Sequence, residues 1–136
     1  MFGVQACRSK RCLLCPQILE NDRYTFNCGF VFEVIGHLFT CNATDVIYVI
    51  RCTTCHAEYI GETQNLRKRM NKHKYDIQHD NREFGCRATD HLVKCGCDLA
   101  TTDRFSIFIL DKEKDTQIRK AKESYYINLF LPKMNK

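Results

Sequence analysis

Proline and glycine are scarce in this chain, at two and six of 136 residues. Long disordered linkers draw on both, so none is expected. No apolar run approaches the roughly 20 residues needed to cross a bilayer. Met1 to Lys10 has no apolar core, so neither a membrane span nor a signal peptide is expected. Net charge is also low. Twenty-one basic residues against 16 acidic ones give +5, which permits binding to a polyanion without demanding it. The length fits one domain with a small appendage, and a hydrophobic content of 44% supports a compact but small core.

Cysteine is what the chain has in excess: ten residues. Cys12-x-x-Cys15 and Cys52-x-x-Cys55 are two-residue-gap pairs, and one tight turn can give a tetrahedral ion two thiolates from such a pair. Zinc ligation in a reducing compartment is therefore favoured over a secreted disulfide scaffold. A redox-active thiol protein is a third reading of the cysteines alone.

Residues 1–43 show little periodicity beyond a short strand at Phe30–Ile35 and read as a metal-stapled extension, too short to be held by apolar packing alone. Val46–Cys52 is rich in β-branched and aromatic residues and reads as a strand; Thr53–His56 is the turn and Glu58–Gly61 the returning strand. Thr63 is the expected N-cap of a helix reaching about Gln78, with Leu66, Met70, His73 and Ile77 on one stripe. A short helix over Ala88–Lys94, a strand over Phe105–Leu110 and a helix over Thr116–Phe130 follow, the last with Ile118, Ala121, Tyr125 and Leu129 inward and Pro132 as its stop. The order strand, strand, helix, helix, strand, helix predicts an α+β domain over residues 44–136, with a small antiparallel three-stranded sheet flanked by helices. Arg67, Lys68, Arg69, Lys72 and Lys74 crowd the first helix. They form either a solvated basic face or a nucleic-acid contact, and the motifs below favour contact through Arg67, Lys68, Lys72 and Lys74.

Val46-Ile47-Tyr48, Tyr59-Ile60-Gly61-Glu62-Thr63, then Leu66, Arg69 and His73, then Glu123-Ser124-Tyr125-Tyr126-Ile127, and Asn135 just after Pro132, occur in that order. In these elements residues 45–136 resemble the GIY-YIG nuclease superfamily, with Val46 where the name-giving glycine stands. The resemblance implies a DNA endonuclease. Tyr48 would be base or water positioner, and Tyr59 would orient the nucleophile. Arg69 would grip phosphate, and His73 would relay protons or bond the phosphate. Glu123 would be the carboxylate ligand of Mg2+ or Mn2+, and Asn135 a brace. Phosphodiester hydrolysis needs these parts: a base for water, cationic donors for the pentavalent phosphorus, and a divalent metal ion. A planar guanidinium matches phosphate oxygens, and a hard cation prefers oxygen ligands.

Cys7, Cys12, Cys15-Pro16, Gly36 to Cys41, and the Cys52/Cys55 pair inside the hairpin resemble the endonuclease domain of Penelope-like retroelements. That resemblance implies one zinc site from Cys52, Cys55, His91 and Cys97, with Cys95 a rival for the fourth place. The upstream cysteines give a second candidate: Cys7, Cys12, Cys15 and Cys41, with Cys28 and His37 as rivals. Cys28 and Cys86 otherwise read as buried thiols. The partners implied are DNA and, in the same polyprotein, a reverse transcriptase with its RNA; the location implied is intracellular and nuclear. The alternative is a non-catalytic zinc-stabilised nucleic-acid-binding module.

Overall fold

The computed structural model describes residues 2–78 and 105–135. The expected short helix at Ala88–Lys94, and with it His91, Cys95, Cys97 and Cys86, lies outside the described residues.

Four short strands build the N-terminal part: β1 (Gly3–Val4), β2 (Arg23–Thr25), β3 (Val31–Glu33) and β4 (Leu38–Phe39). β1 pairs with β4 in parallel, and β2 pairs with β3 antiparallel. The central sheet follows, from β5 (Thr44–Cys52), β6 (Glu58–Asn65) and β7 (Phe105–Lys112), in the order β6-β5-β7 and antiparallel throughout. Helix α1 (Leu66–Gln78) follows β6, and α2 (Thr116–Phe130) follows β7. The mixed helix and strand content and the three-stranded antiparallel sheet agree with the α+β expectation.

β5 is the middle strand because its run Val46–Ile50 is apolar on both faces, and all five residues are buried. Its register sets two faces. Tyr48 opposes Gly61 and Ile109, and Ile50 opposes Tyr59 and Ile107; Ile47 opposes Glu62, while Val49 opposes Ile60 and Phe108. A register shift between Ile47 and Tyr48 marks a bulge in the β5–β7 ladder.

The extension packs against this sheet as part of one hydrophobic cluster that includes Val4, Leu14, Tyr24, Phe26 and Val34. Tyr24 packs on Phe108 with ring centroids 5.4 Å apart, and Phe26 stacks on Phe130 at 3.9 Å. The Tyr24 hydroxyl donates to Glu58 at 2.6 Å, and Leu19 N–H donates to the Ile107 carbonyl at 2.9 Å. Among the described residues no helix is long and apolar enough to cross a membrane.

Three local expectations fail. The cap of α1 is Asn65, not Thr63: β6 continues to Asn65, whose side-chain oxygen accepts the Lys68 N–H at 3.0 Å. Thr63 instead accepts the Asn65 N–H at 3.1 Å, closing a side-chain turn. The second failure is the inner face of α2. Ile118, Tyr125 and Leu129 are 50%, 62% and 49% exposed, and Ala121 is exposed as well. The buried positions are Arg119 and Phe130, with Glu123, Tyr126 and Ile127 half-buried. Apolar periodicity misled here because the face turned to the sheet carries polar residues. Cys28, expected to be buried, is exposed.

Candidate active site and metal centre

Four consecutive residues of β6, Tyr59 to Glu62, gather the site. Among the described residues β6 is an edge strand, so its outer backbone groups lack a neighbouring strand there. Asn135, in a short 3-10 helix (Lys133–Asn135), fills part of that gap. Its side-chain oxygen accepts the Ile60 N–H at 2.8 Å and its amide donates to the Ile60 carbonyl at 3.0 Å. One side chain thus imitates a strand partner and ties the C-terminus to the second tyrosine triplet.

Gly61 serves by its lack of a side chain. A Cβ there would lie 2.5 Å from the Tyr48 hydroxyl and 3.0 Å from the Tyr59 ring. Tyr48 is fully buried, so its ring cannot swing aside. The glycine therefore lets the phenol cross to the edge strand, beside Tyr59. Gly61→Ala is expected to destabilise the domain by about 1–3 kcal/mol through overpacking and to displace the Tyr48 hydroxyl; urea unfolding measures the first effect and loss of nuclease activity the second. Val46, where the superfamily has glycine, is buried and paired on both sides with Thr63 and Lys112, so a branched residue is accommodated there.

Arg69 on α1 lies within electrostatic reach of both His73, on the same helix, and Glu123 on α2. His73 lies one turn after Arg69 and is buried. Its pKa is lowered from 6.5 to about 4, by burial most of all and then by Arg69 and Lys72, with Asp76 opposing them. The imidazole is therefore neutral near neutral pH, and its affinity for a proton is low. Because its folded pKa lies below the unfolded one, the unfolded chain takes up the proton first. Stability is then full above about pH 6.5 and declines as pH falls toward about 4. The loss is on the order of 3 kcal/mol. Urea midpoints between pH 7 and 4.5 measure that slope, and His73→Leu is expected to flatten it.

Glu123 is half-buried, and its carboxyl lies above the ordinary range. Burial raises it most, the Glu62 carboxylate adds to the rise, and the Glu62 backbone N–H and the Arg69 guanidinium oppose it. Glu62 itself is gripped by Arg119, whose Nε donates to it at 2.6 Å. Arg119 is 1% exposed; it also donates to Asp45 at 3.4 Å and to the Glu113 carbonyl at 3.1 Å. Sequence reasoning gave no site role to Glu62, Arg119 or Lys120. The available signal was helical spacing: Arg119 sits four residues before Glu123 and so shares its face.

A cleft of about 620 Å³ opens here, lined by Glu62, Lys68, Arg69, Lys72, Arg119 and Lys120 among others. Of the four basic residues expected to bind nucleic acid, only Lys68 and Lys72 line it. Arg67 turns away to Cys12, Cys7 and Asn42, and Lys74 donates to the Leu13 carbonyl.

A model of the GIY-YIG catalytic domain matches residues 45–136. The chain belongs to the GIY-YIG family. No curated protein and no solved structure matches it. GIY-YIG membership implies a nuclease-type domain acting on DNA, which agrees with the basic cleft at the junction of β6, α1 and α2.

The extension attached to this GIY-YIG domain carries a separate centre. The Sγ atoms of Cys7, Cys12, Cys15 and Cys41 all lie within 4.8 Å of one another. Cys15 Sγ is 3.8 Å from those of both Cys7 and Cys41. Zn–S bonds of about 2.3 Å in a tetrahedron place sulfurs about 3.8 Å apart, whereas a disulfide needs about 2.05 Å. The four residues therefore fit a metal ion. Burial pushes the Cys12 thiol up, but Arg67 and the Leu14 N–H outweigh it and bring it to about 6, toward the thiolate a metal requires. Cys28 and His37 are not in the cluster; His37 stacks on Phe39. Cys52 is buried and Cys55 exposed in the β5–β6 turn, while His91 and Cys97 lie outside the described residues.

Proposed function

We propose that this chain is a divalent-metal-dependent endonuclease that nicks DNA at the cleft between α1 and α2. The observation that carries the reading is Arg69, which lines that basic cleft and lies within electrostatic reach of both His73 and Glu123. Lys68, Lys72 and Lys120 attract the phosphate backbone. Arg69 presents its planar fork to the scissile phosphate and offsets charge that develops there. Neutral His73 hydrogen-bonds the phosphate or relays a proton. Tyr48 and Tyr59, brought together over Gly61, position the attacking water. Asn135 holds this strand in place. Two carboxylates, Glu123 and Glu62, near one another suit a hard cation, with Glu123 as its ligand. When bound, Mg2+ or Mn2+ supplies Lewis-acid stabilisation of the phosphoryl oxygens.

The cysteine pattern supports the finer reading that the domain serves a Penelope-like retroelement in the nucleus. There a nick with a 3′-hydroxyl would prime a reverse transcriptase of the same polyprotein on its RNA. Cys52, Cys55, His91 and Cys97 are the proposed second zinc set. Supercoiled plasmid incubated with the purified chain and a series of divalent metals tests the activity. Conversion to the open circle with Mg2+ or Mn2+ is expected; binding without cleavage in every metal would leave a nucleic-acid-binding module instead.

A further inference from the structure

The basic residues of α1 divide between two sides of the helix. Lys68, Arg69 and Lys72 face the cleft. Arg67 and Lys74, seven residues apart and so on one face, turn to the extension. Arg67 Nη1 donates to Cys12 Sγ at 3.1 Å. Its Nη2 donates to Asn42 Oδ1 at 2.9 Å and approaches Cys7 Sγ at 3.7 Å. Lys74 adds a bond to the Leu13 carbonyl, between Cys12 and Cys15.

We infer that Arg67 is the outer-sphere partner of the Cys7, Cys12, Cys15 and Cys41 metal centre, and that through this contact the centre holds α1, with Arg69, in place. The inference rests on the metal reading of that cluster. Four thiolates around a divalent cation carry a net charge of −2, which is unfavourable in a partly buried site unless compensated. Arg67 brings one positive charge and enough donors to reach two of the sulfurs and Asn42 together. A lysine would bring the charge but not the planar fork. Arg67 and Arg69 are two residues apart, about 200° around the helix. The metal centre and the cleft therefore grip opposite sides of one rigid element. A shift of the helix at Arg67 is a shift of Arg69 against the substrate phosphate, so Arg67 is a positioning residue that never touches the reacting atoms.

The chain loaded with cobalt(II) tests the metal centre and the role of Arg67 separately. The difference spectrum between the natural chain and Cys15→Ser isolates this centre; it is expected to show sulfur-to-cobalt charge transfer, and a blank difference would overturn the metal reading itself. Given that band, Arg67→Met is expected to move it to lower energy, because two ligand sulfurs lose N–H donors. It is also expected to speed metal release to a chelator by roughly tenfold or more, the usual effect of losing an outer-shell partner. An unmoved band with unchanged release would overturn the assignment of Arg67. Arg67→Lys, which keeps the charge, is expected to release metal at an intermediate rate with the band still displaced. If the methionine variant fails to fold, a lysine variant with the natural band and release rate overturns the assignment in its place. The positioning half is read by hydrogen exchange on zinc-loaded protein. Arg67→Met is expected to lower protection along α1 and leave α2 unchanged; equal protection of α1 in both proteins would overturn that half.

Discussion

Glu123→Gln and Arg69→Ala are each expected to reduce plasmid nicking by roughly 10³-fold or more, the scale seen when a preorganised charge at the reacting centre is removed. The two substitutions should differ in what they do to the fold. Glu123 sits half-buried beside a second carboxylate, and burial together with Glu62 raises its pKa. The folded state therefore binds that proton more readily than the unfolded chain does. Its stability contribution falls as pH rises through the ordinary carboxylate range and stays unfavourable at neutral pH. Removing the charge with an isosteric amide should leave thermal stability unchanged or raise it while activity disappears. A residue kept for packing would show the reverse. Thermal unfolding and nicking measured on the same samples decide the matter. Arg69 is flanked by His73, whose proton affinity it lowers, and by Glu123, whose proton affinity it also lowers. Its removal should raise both while the helix persists, since Leu66 and Met70 anchor α1 by burial. Metal-dependent nicking that survives both substitutions would remove these residues from the site.

Loss of the four-cysteine centre is the other large effect expected. Structural zinc in small modules carries roughly 10 kcal/mol or more of apparent binding free energy, which is also folding free energy. Cys15 lies between Cys7 and Cys41, so Cys15→Ser removes the ligand closest to two others. Elemental analysis is expected to give roughly two zinc ions in the natural chain, one for each four-ligand set, and one fewer in the variant. The damage should be local. β1 and β4 form only a two-residue pair, next to cluster members Cys7 and Cys41, and should lose hydrogen-exchange protection. β2 and β3 should keep theirs, because Tyr24 and Phe26 are packed on Phe108 and Phe130 independently of the metal. Uniform loss of protection across residues 2–43, or none, would contradict this division.

The elements rich in β-branched or strongly apolar residues were legible without coordinates. Val46–Cys52 was legible as a strand from its β-branched and aromatic residues, while its central place came from the sheet order. The Cys12/Cys15 pair with Cys7 was legible because thiolate spacing is local chemistry, whereas the fourth place, open to Cys41, Cys28 and His37, was filled by Cys41 only through the fold. The face of α2 was not. Its inward side holds Arg119 and Glu123, and hydrophobic periodicity counts such residues as outward. The direction of the α1 cations was equally hidden: Arg67 and Lys68 are neighbours in the chain, yet one points at sulfur and the other into the cleft.

By itself the sequence determined the family, the residue types available for phosphodiester chemistry and the Cys7, Cys12 and Cys15 group, because each rests on motif order or short-range spacing; Cys41 as the fourth member, over Cys28 and His37, came from the fold. Only the tertiary structure decided which charges meet. It set Glu62 between Arg119 and Glu123, laid Tyr48 over Gly61, and sent Arg67 to the cysteine cluster rather than to the cleft. Those outcomes depend on strand register and on the rotation of each helix against the sheet. Packing of the whole core fixes both, and a linear pattern does not encode either one locally.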